Sequence, residues 1–183
     1  AIKEDFSDGI SPRFTVSGSM TTAKSVLDPS NMVARLSNST GNIKTTDTWS
    51  NVVIETEIAY VNDTPPNGFF EWSFRRTDPS SSANQYYVIM NRTPTGGYFS
   101  IRKKIGGKET ILIQNGYAVT LKTKFLVKIV CKNDVIDLYV NDKLFLSTTD
   151  TDLTSGVVTI GSAHWGVNVD CQIDNVSIEE LPI

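Results

Sequence analysis

Phe69-Phe70-Glu71-Trp72-Ser73-Phe74-Arg75-Arg76 decides the fold class. Aromatic side chains recur at every second position, Phe70, Trp72 and Phe74, while Glu71, Ser73 and Arg75 fall between them. Successive side chains of an extended chain point to opposite faces, so this spacing predicts a strand with one apolar face and one hydrated face. On both sides the chain must turn. Asn62-Asp63-Thr64-Pro65-Pro66-Asn67-Gly68 precedes it and Asp78-Pro79-Ser80-Ser81-Ser82-Ala83-Asn84 follows it, and proline removes ladder donors that a continuing strand needs.

The same period of two recurs outward from that stretch, and helical periodicity is nearly absent. Strands are expected at Phe14–Val16, Met32–Ser37, Val52–Val61, Phe69–Arg76, Gln85–Asn91, Tyr98–Ile105, Thr110–Gln114, Phe125–Lys132, Val135–Val140, Lys143–Thr148, Gly156–Ser162 and Val169–Glu179. Gly106-Gly107, Asn133-Asp134 and Asn141-Asp142 have the residue types that accept positive φ in two-residue hairpins. The expectation is an all-β fold, a two-sheet antiparallel β-sandwich of jelly-roll type, formed by residues 1–183 as one domain.

Composition narrows the function classes. With 39% hydrophobic and 20% charged residues, the 183-residue chain is long enough to build a core without staples. A net charge of −3 argues against nucleic acid, which calls for a basic surplus on one face. No apolar run reaches the roughly 20 residues of a membrane-spanning helix. Residue 1 is Ala, so a targeting segment is expected either to have been removed or to belong to a longer parent protein.

Three segments carry a resemblance: Glu4-Asp5-Phe6-Ser7-Asp8-Gly9; Trp72-Ser73-Phe74-Arg75-Arg76 with Asn84-Gln85-Tyr86-Tyr87-Val88; and Ile173-Asp174-Asn175-Val176. Between them, Phe125–Lys132 runs through Asn133-Asp134 into Ile136-Asp137-Leu138-Tyr139-Val140-Asn141-Asp142. In this order they resemble the concanavalin A-like lectin and glucanase superfamily, in particular laminin-G-like modules such as the family 66 carbohydrate-binding modules. That resemblance implies a concave sheet with ligand on its face or rim. It also implies a secreted or cell-surface module, monomeric and joined to other domains, that binds a polysaccharide or oligosaccharide.

Alternation supplies the candidate residues. Glu71, Arg75, Tyr87, Asn91, Tyr98 and Arg102 are expected on one outward face, where tyrosines offer planes to sugar C–H surfaces and charged or amide groups reach adjacent hydroxyls. Trp165, within Ser162-Ala163-His164-Trp165-Gly166, is expected at the rim or as a plug of the sandwich. A neutral or mildly acidic glycan suits this set. Trp49 reads as core.

Modules of this type often hold a structural calcium where the first and last strands meet. Glu4, Asp5 and Asp174, with Asp8 nearby, are the oxygen donors expected for such a site. Cys131 and Cys171 are in register with apolar neighbours, either bridged or simply buried. Catalysis lacks a signature: Glu55-Thr56-Glu57 puts two acids on one strand face without the further acid of the glucanase motif, and His164 is the single histidine. A sandwich-fold lyase or glycosidase and an adhesion domain remain the alternative classes.

Overall fold

Each expected strand forms, and three more join them. The computed structural model describes residues 1–62, 68–162 and 167–182. In chain order the strands are β1 (Ile2–Glu4), β2 (Phe14–Gly18), β3 (Thr21–Lys24), β4 (Met32–Ser39), β5 (Gly41–Thr45), β6 (Val52–Tyr60), β7 (Gly68–Arg76) and β8 (Gln85–Thr93). They continue with β9 (Gly96–Ile105), β10 (Lys108–Gly116), β11 (Phe125–Lys132), β12 (Val135–Val140), β13 (Lys143–Thr149), β14 (Val157–Gly161) and β15 (Val169–Glu180).

They build two antiparallel sheets. The eight-stranded sheet runs β13-β12-β11-β6-β15-β4-β3, with β1 paired to β15; the seven-stranded sheet runs β10-β9-β8-β7-β14-β5-β2. Phe70, Trp72, Phe74, Tyr86, Val88, Met90, Phe99 and Ile101 of the second sheet meet Val52, Ile54, Ile58, Val127, Ile129 and Cys131 of the first in one buried core. Burying each such apolar side chain contributes about 1.5–3 kcal/mol, which is why the period of two sets the layering. Two polar groups within the core join the sheets: Trp72 Nε1 donates to Thr56 Oγ1 at 3.2 Å, and Tyr60 Oη donates to Met90 O at 2.7 Å. Trp49 is buried, as the sequence suggests.

The tight turns have the expected chemistry. Gly106 and Gly107 have φ of 57° and 81° and join β9 to β10, with Lys108 opposite Ile105. Asn133 (φ 52°) opens the β11–β12 turn, and Asn141 and Asp142 (φ 50° and 67°) form the β12–β13 turn. No helix of the described residues is long and apolar enough to cross a membrane.

One irregularity bears on the site. β14 pairs with β7 as Thr159↔Ser73 and then Val157↔Arg76, so two residues of β7, Phe74 and Arg75, face the single Val158. This is a β-bulge, and Arg75 has the positive φ of 48° that such an insertion calls for. Gly156 lies against it: a Cβ there would be 2.2 Å from Arg76 O, so only glycine fits.

Candidate functional site

The register of β7, β8 and β9 aligns Phe69, Asn91 and Tyr98 in one row, Glu71, Ile89 and Ser100 in the next, and Ser73, Tyr87 and Arg102 in a third. Glu71, Tyr87, Asn91, Tyr98 and Arg102 therefore share the outward face of the seven-stranded sheet. Arg75 does not join them. The bulge turns it to the end of the sandwich, where it is 3% exposed and donates to Ser50 O (2.9 Å), Leu153 O (2.9 Å) and Asn51 Oδ1 (3.2 Å). The expectation that Arg75 lies on the sugar-facing side is thus corrected. Its neighbour Arg76 takes that side, because one inserted residue inverts the alternation from there on.

Toward β10 the outward residues are engaged with one another. Arg102 donates to Ser100 Oγ (2.8 Å), Glu109 Oε1 (3.0 Å), Gln114 Oε1 (3.2 Å) and Tyr98 Oη (3.3 Å). Tyr87 Oη donates to Glu109 Oε2, and Lys104 Nζ stands 5.8 Å from the centre of the Tyr87 ring. Burial and the Glu109 hydrogen bond push the Tyr87 phenol far above its ordinary range. With Tyr87 at 0%, Asn91 at 2% and Arg102 at 7% exposure, this part of the face offers no free ring plane at Tyr87. Tyr98 is half-buried at the edge of the network.

The open part of the same face lies on the other side of β7. There β7, β14, β5 and β2 form the floor of a polar recess of about 310 Å³, lined by Glu71, Ser73, Thr159, Gly161, Asn42, Lys44 and Ser17. Arg76 at the end of β7 and Pro79, Ser80 and Ser82 of the β7–β8 loop form its rim. Ser73 Oγ (2.7 Å) and Gln85 Nε2 (2.9 Å) donate to Glu71 Oε1, and burial raises the Glu71 pKa above its usual value. Thr159, 5% exposed, has a buried hydroxyl with no hydrogen-bond partner among the described residues. Buried polar groups are nearly always paired, so such a hydroxyl points to a missing partner.

Of the described residues picked from sequence, Glu71 alone lines this recess. Asn42 and Lys44 escaped notice because β5 begins with Gly-Asn and has a single large apolar residue, Ile43. Arg76 escaped because a bulge leaves no mark in the period of two. Trp165 lies outside the described residues.

The expected calcium donors do not converge. Glu4 Oε1 and Oε2 accept Phe6 N (2.7 Å) and Ser11 N (2.6 Å), and Asp5 Oδ1 accepts Ser7 N (3.0 Å). Asp174 accepts Asn31 Nδ2 (2.7 Å) and its following amide, Asn175 N (2.8 Å). β1 and β15 do pair, but Glu4 and Asp5 line one hollow with Asn175 while Asp174 lines another with Asn31 and Glu57. Among the described residues no group of three or more His, Cys, Asp or Glu side chains could hold a metal. Each carboxylate already caps a local turn or an amide, which removes the donor set the fit would need. Cys131 and Cys171 are unbridged and buried. Glu55 and Glu57 face outward on the eight-stranded sheet, away from the recess, and Glu57 accepts Asn175 Nδ2 at 3.0 Å.

No known family profile matches the chain, and no curated protein sequence does. Solved structures do match. A carbohydrate-binding module CBM66 from Bacillus subtilis superposes with a TM-score of 0.69 at 17% identity, over 93% of this chain and 99% of that one. The exoplasmic/lumenal domain of VIP36 in its Ca2+/mannose-bound form gives 0.70 at 12% identity over 94% and 85%, and a native glycosidic hydrolase gives 0.66 at 15% over 100% and 96%. At these identities the likeness concerns the fold alone, a two-sheet antiparallel β-sandwich.

Proposed function

We propose that this chain is a carbohydrate-binding module that holds a glycan in the recess between β7, β14, β5 and the β7–β8 loop, without cutting it. The observation that carries the reading is the floor: Glu71, Ser73 and Thr159 are polar, buried and side by side, and the Thr159 hydroxyl is left without a partner among the described residues. A site built of fixed hydroxyl, amide and carboxylate groups suits a ligand made of hydroxyls. Carbohydrate-binding and lectin-like proteins among the structural neighbours support it. Glycoside hydrolysis uses two carboxyl groups about 5–9.5 Å apart, and Glu71 is the one carboxylate among the described lining residues. In this reading the module works outside the cell, attached to other domains of a larger protein.

Calorimetry and native-gel retardation on a panel of soluble glycans test the proposal. The wild type is expected to bind at least one member, and Thr159→Val and Glu71→Gln to lose about tenfold in affinity each, as for a lost buried hydrogen bond. Unchanged affinity in both variants would move the site off the recess. Release of new reducing ends from any bound glycan would overturn the non-catalytic part.

A further inference from the structure

The recess carries more positive charge than its surroundings lead one to expect. The chain as a whole has a net charge of −3, yet two cations, Lys44 and Arg76, border the recess beside one carboxylate, Glu71. Among the lining residues themselves, two cations stand against one carboxylate even with Glu71 ionised. Neither cation forms a contact ion pair among the described residues, although Glu71 and Asp78 act on Arg76, and Asp78 on Lys44, through space. Lys44 Nζ donates to Pro79 O at 2.5 Å, and Arg76 donates to Asp78 O and Pro79 O, each at 3.2 Å. Asp78 stands beside both cations as a carboxylate, its Oδ1 accepting Ser80 N (2.9 Å) and Ser80 Oγ (2.8 Å).

The result is a pair of cations tied to one loop. Backbone carbonyls use one of three lysine donors and two of five arginine donors, and they hold both heads at the mouth of the recess. An arginine fork matches the two oxygens of a carboxylate, and a site fixed before binding loses less entropy when the ligand arrives. Below the cations lies the Thr159 hydroxyl, together with Asn42 and Ser73. A ligand that answers both features has hydroxyls on a ring and a carboxylate beside them. The volume of about 310 Å³ has room for one or two sugar rings.

We infer that the recess recognises an acidic saccharide of the uronic-acid class, with its carboxylate received by Arg76 and Lys44 and its hydroxyls by Thr159, Asn42 and Ser73. This rests on the carbohydrate-binding reading above. The test is calorimetry of the wild type, Arg76→Gln and Lys44→Met against polygalacturonate, alginate and hyaluronan. Each polymer is also used after chemical reduction of its carboxyl groups, which keeps the linkage and removes the charge.

At least one native polymer is expected to bind, its reduced form at least tenfold more weakly. Affinity should fall several-fold between 50 and 500 mM NaCl, as ionic contacts at a partly open site are screened. Arg76→Gln should lose about tenfold and Lys44→Met about threefold to fivefold, with thermal unfolding unchanged to show that both fold. A reduced or otherwise neutral glycan that binds as well as its acidic counterpart would overturn the inference and leave the carbohydrate-binding reading standing. So would wild-type affinity in both variants. Absence of binding to all acidic and neutral glycans would overturn both.

Discussion

Tyr87 and Ile89 on β8 and Lys128 and Val130 on β11 occupy equivalent places: each points away from the core, on a strand in the middle of its sheet. Their surroundings differ greatly. Tyr87 and Ile89 are 0% exposed although neither belongs to the core between the sheets, whereas Lys128 and Val130 are half-buried, with Lys128 Nζ 5.1 Å from the centre of the Tyr139 ring. The outward face of the seven-stranded sheet is thus a second interior, mostly polar, and the matching face of β6, β11 and β12 is an ordinary wet surface. Alternation fixes which side a residue takes. It says nothing about how deep that side lies.

The largest effect expected from breaking this contrast is at Arg75. Arg75→Ala should cost about 3–4 kcal/mol in urea unfolding, since it removes three hydrogen bonds from a charged donor, leaves the buried Leu153 carbonyl without its guanidinium partner, and leaves Asn51 Oδ1 with Asn133 N alone. A loss below about 1 kcal/mol would mean that the bulge does not hold the end of the sandwich. Next comes the comparison itself: Ile89→Ala is expected to lose about 2–4 kcal/mol, as in a packed core, and Val130→Ala less than about 1 kcal/mol. Equal losses would erase the distinction between the two faces.

Glu71 sharpens it through pH. Burial raises its folded pKa above the ordinary 4.5, so the stability linked to this carboxyl is fully present below about pH 4.5 and is lost as pH rises through the folded value. Relative to Glu71→Gln, which does not titrate, the wild type should therefore lose ground between pH 4 and 7 in urea titrations. A gap that stays constant or moves the other way would contradict the burial. The smallest effect belongs to the wet side: the Lys3–Glu179 pair, 3.6 Å apart with side chains 75% and 49% exposed, should give less than about 0.5 kcal/mol in a double-mutant cycle.

The strands and tight turns were legible because they rest on local chemistry. Phe70, Trp72 and Phe74 define a face by themselves, and Gly106-Gly107 or Asn141-Asp142 define a turn by the φ they tolerate. The unread strands are the ones that pairing creates. β1 has three residues and β3 is Thr-Thr-Ala-Lys; each is held by a neighbour, β15 and β4, and not by its own pattern. β5 is held from both sides, by β14 and β2, and brings Asn42 and Lys44 to the recess.

The candidate face was legible as a parity and not as a site. Glu71, Tyr87, Asn91, Tyr98 and Arg102 do share it, but Glu109 and Gln114 on β10 engage Arg102, and Glu109 also engages Tyr87; no period in the sequence announces that. Arg75 and Arg76 are the sharpest case. They are the same residue type at adjacent positions, and a long-range mismatch of β7 with β14 alone decides which one holds the fold together and which borders the recess.

The two unbridged cysteines have a further consequence. Cys131 on β11 and Cys171 on β15 flank β6 within the eight-stranded sheet, and burial pushes the Cys131 thiol up to about 11 and the Cys171 thiol higher still. Neither forms appreciable thiolate in the folded state at neutral pH, and neither can be reached by a reagent from solvent. Alkylation must wait until the central strands part, so the rate at which a thiol-specific probe modifies this protein is a clock for the opening of the sheet. Two such clocks are built in, one on each side of β6, and a difference between their rates would tell which half of the sheet opens first.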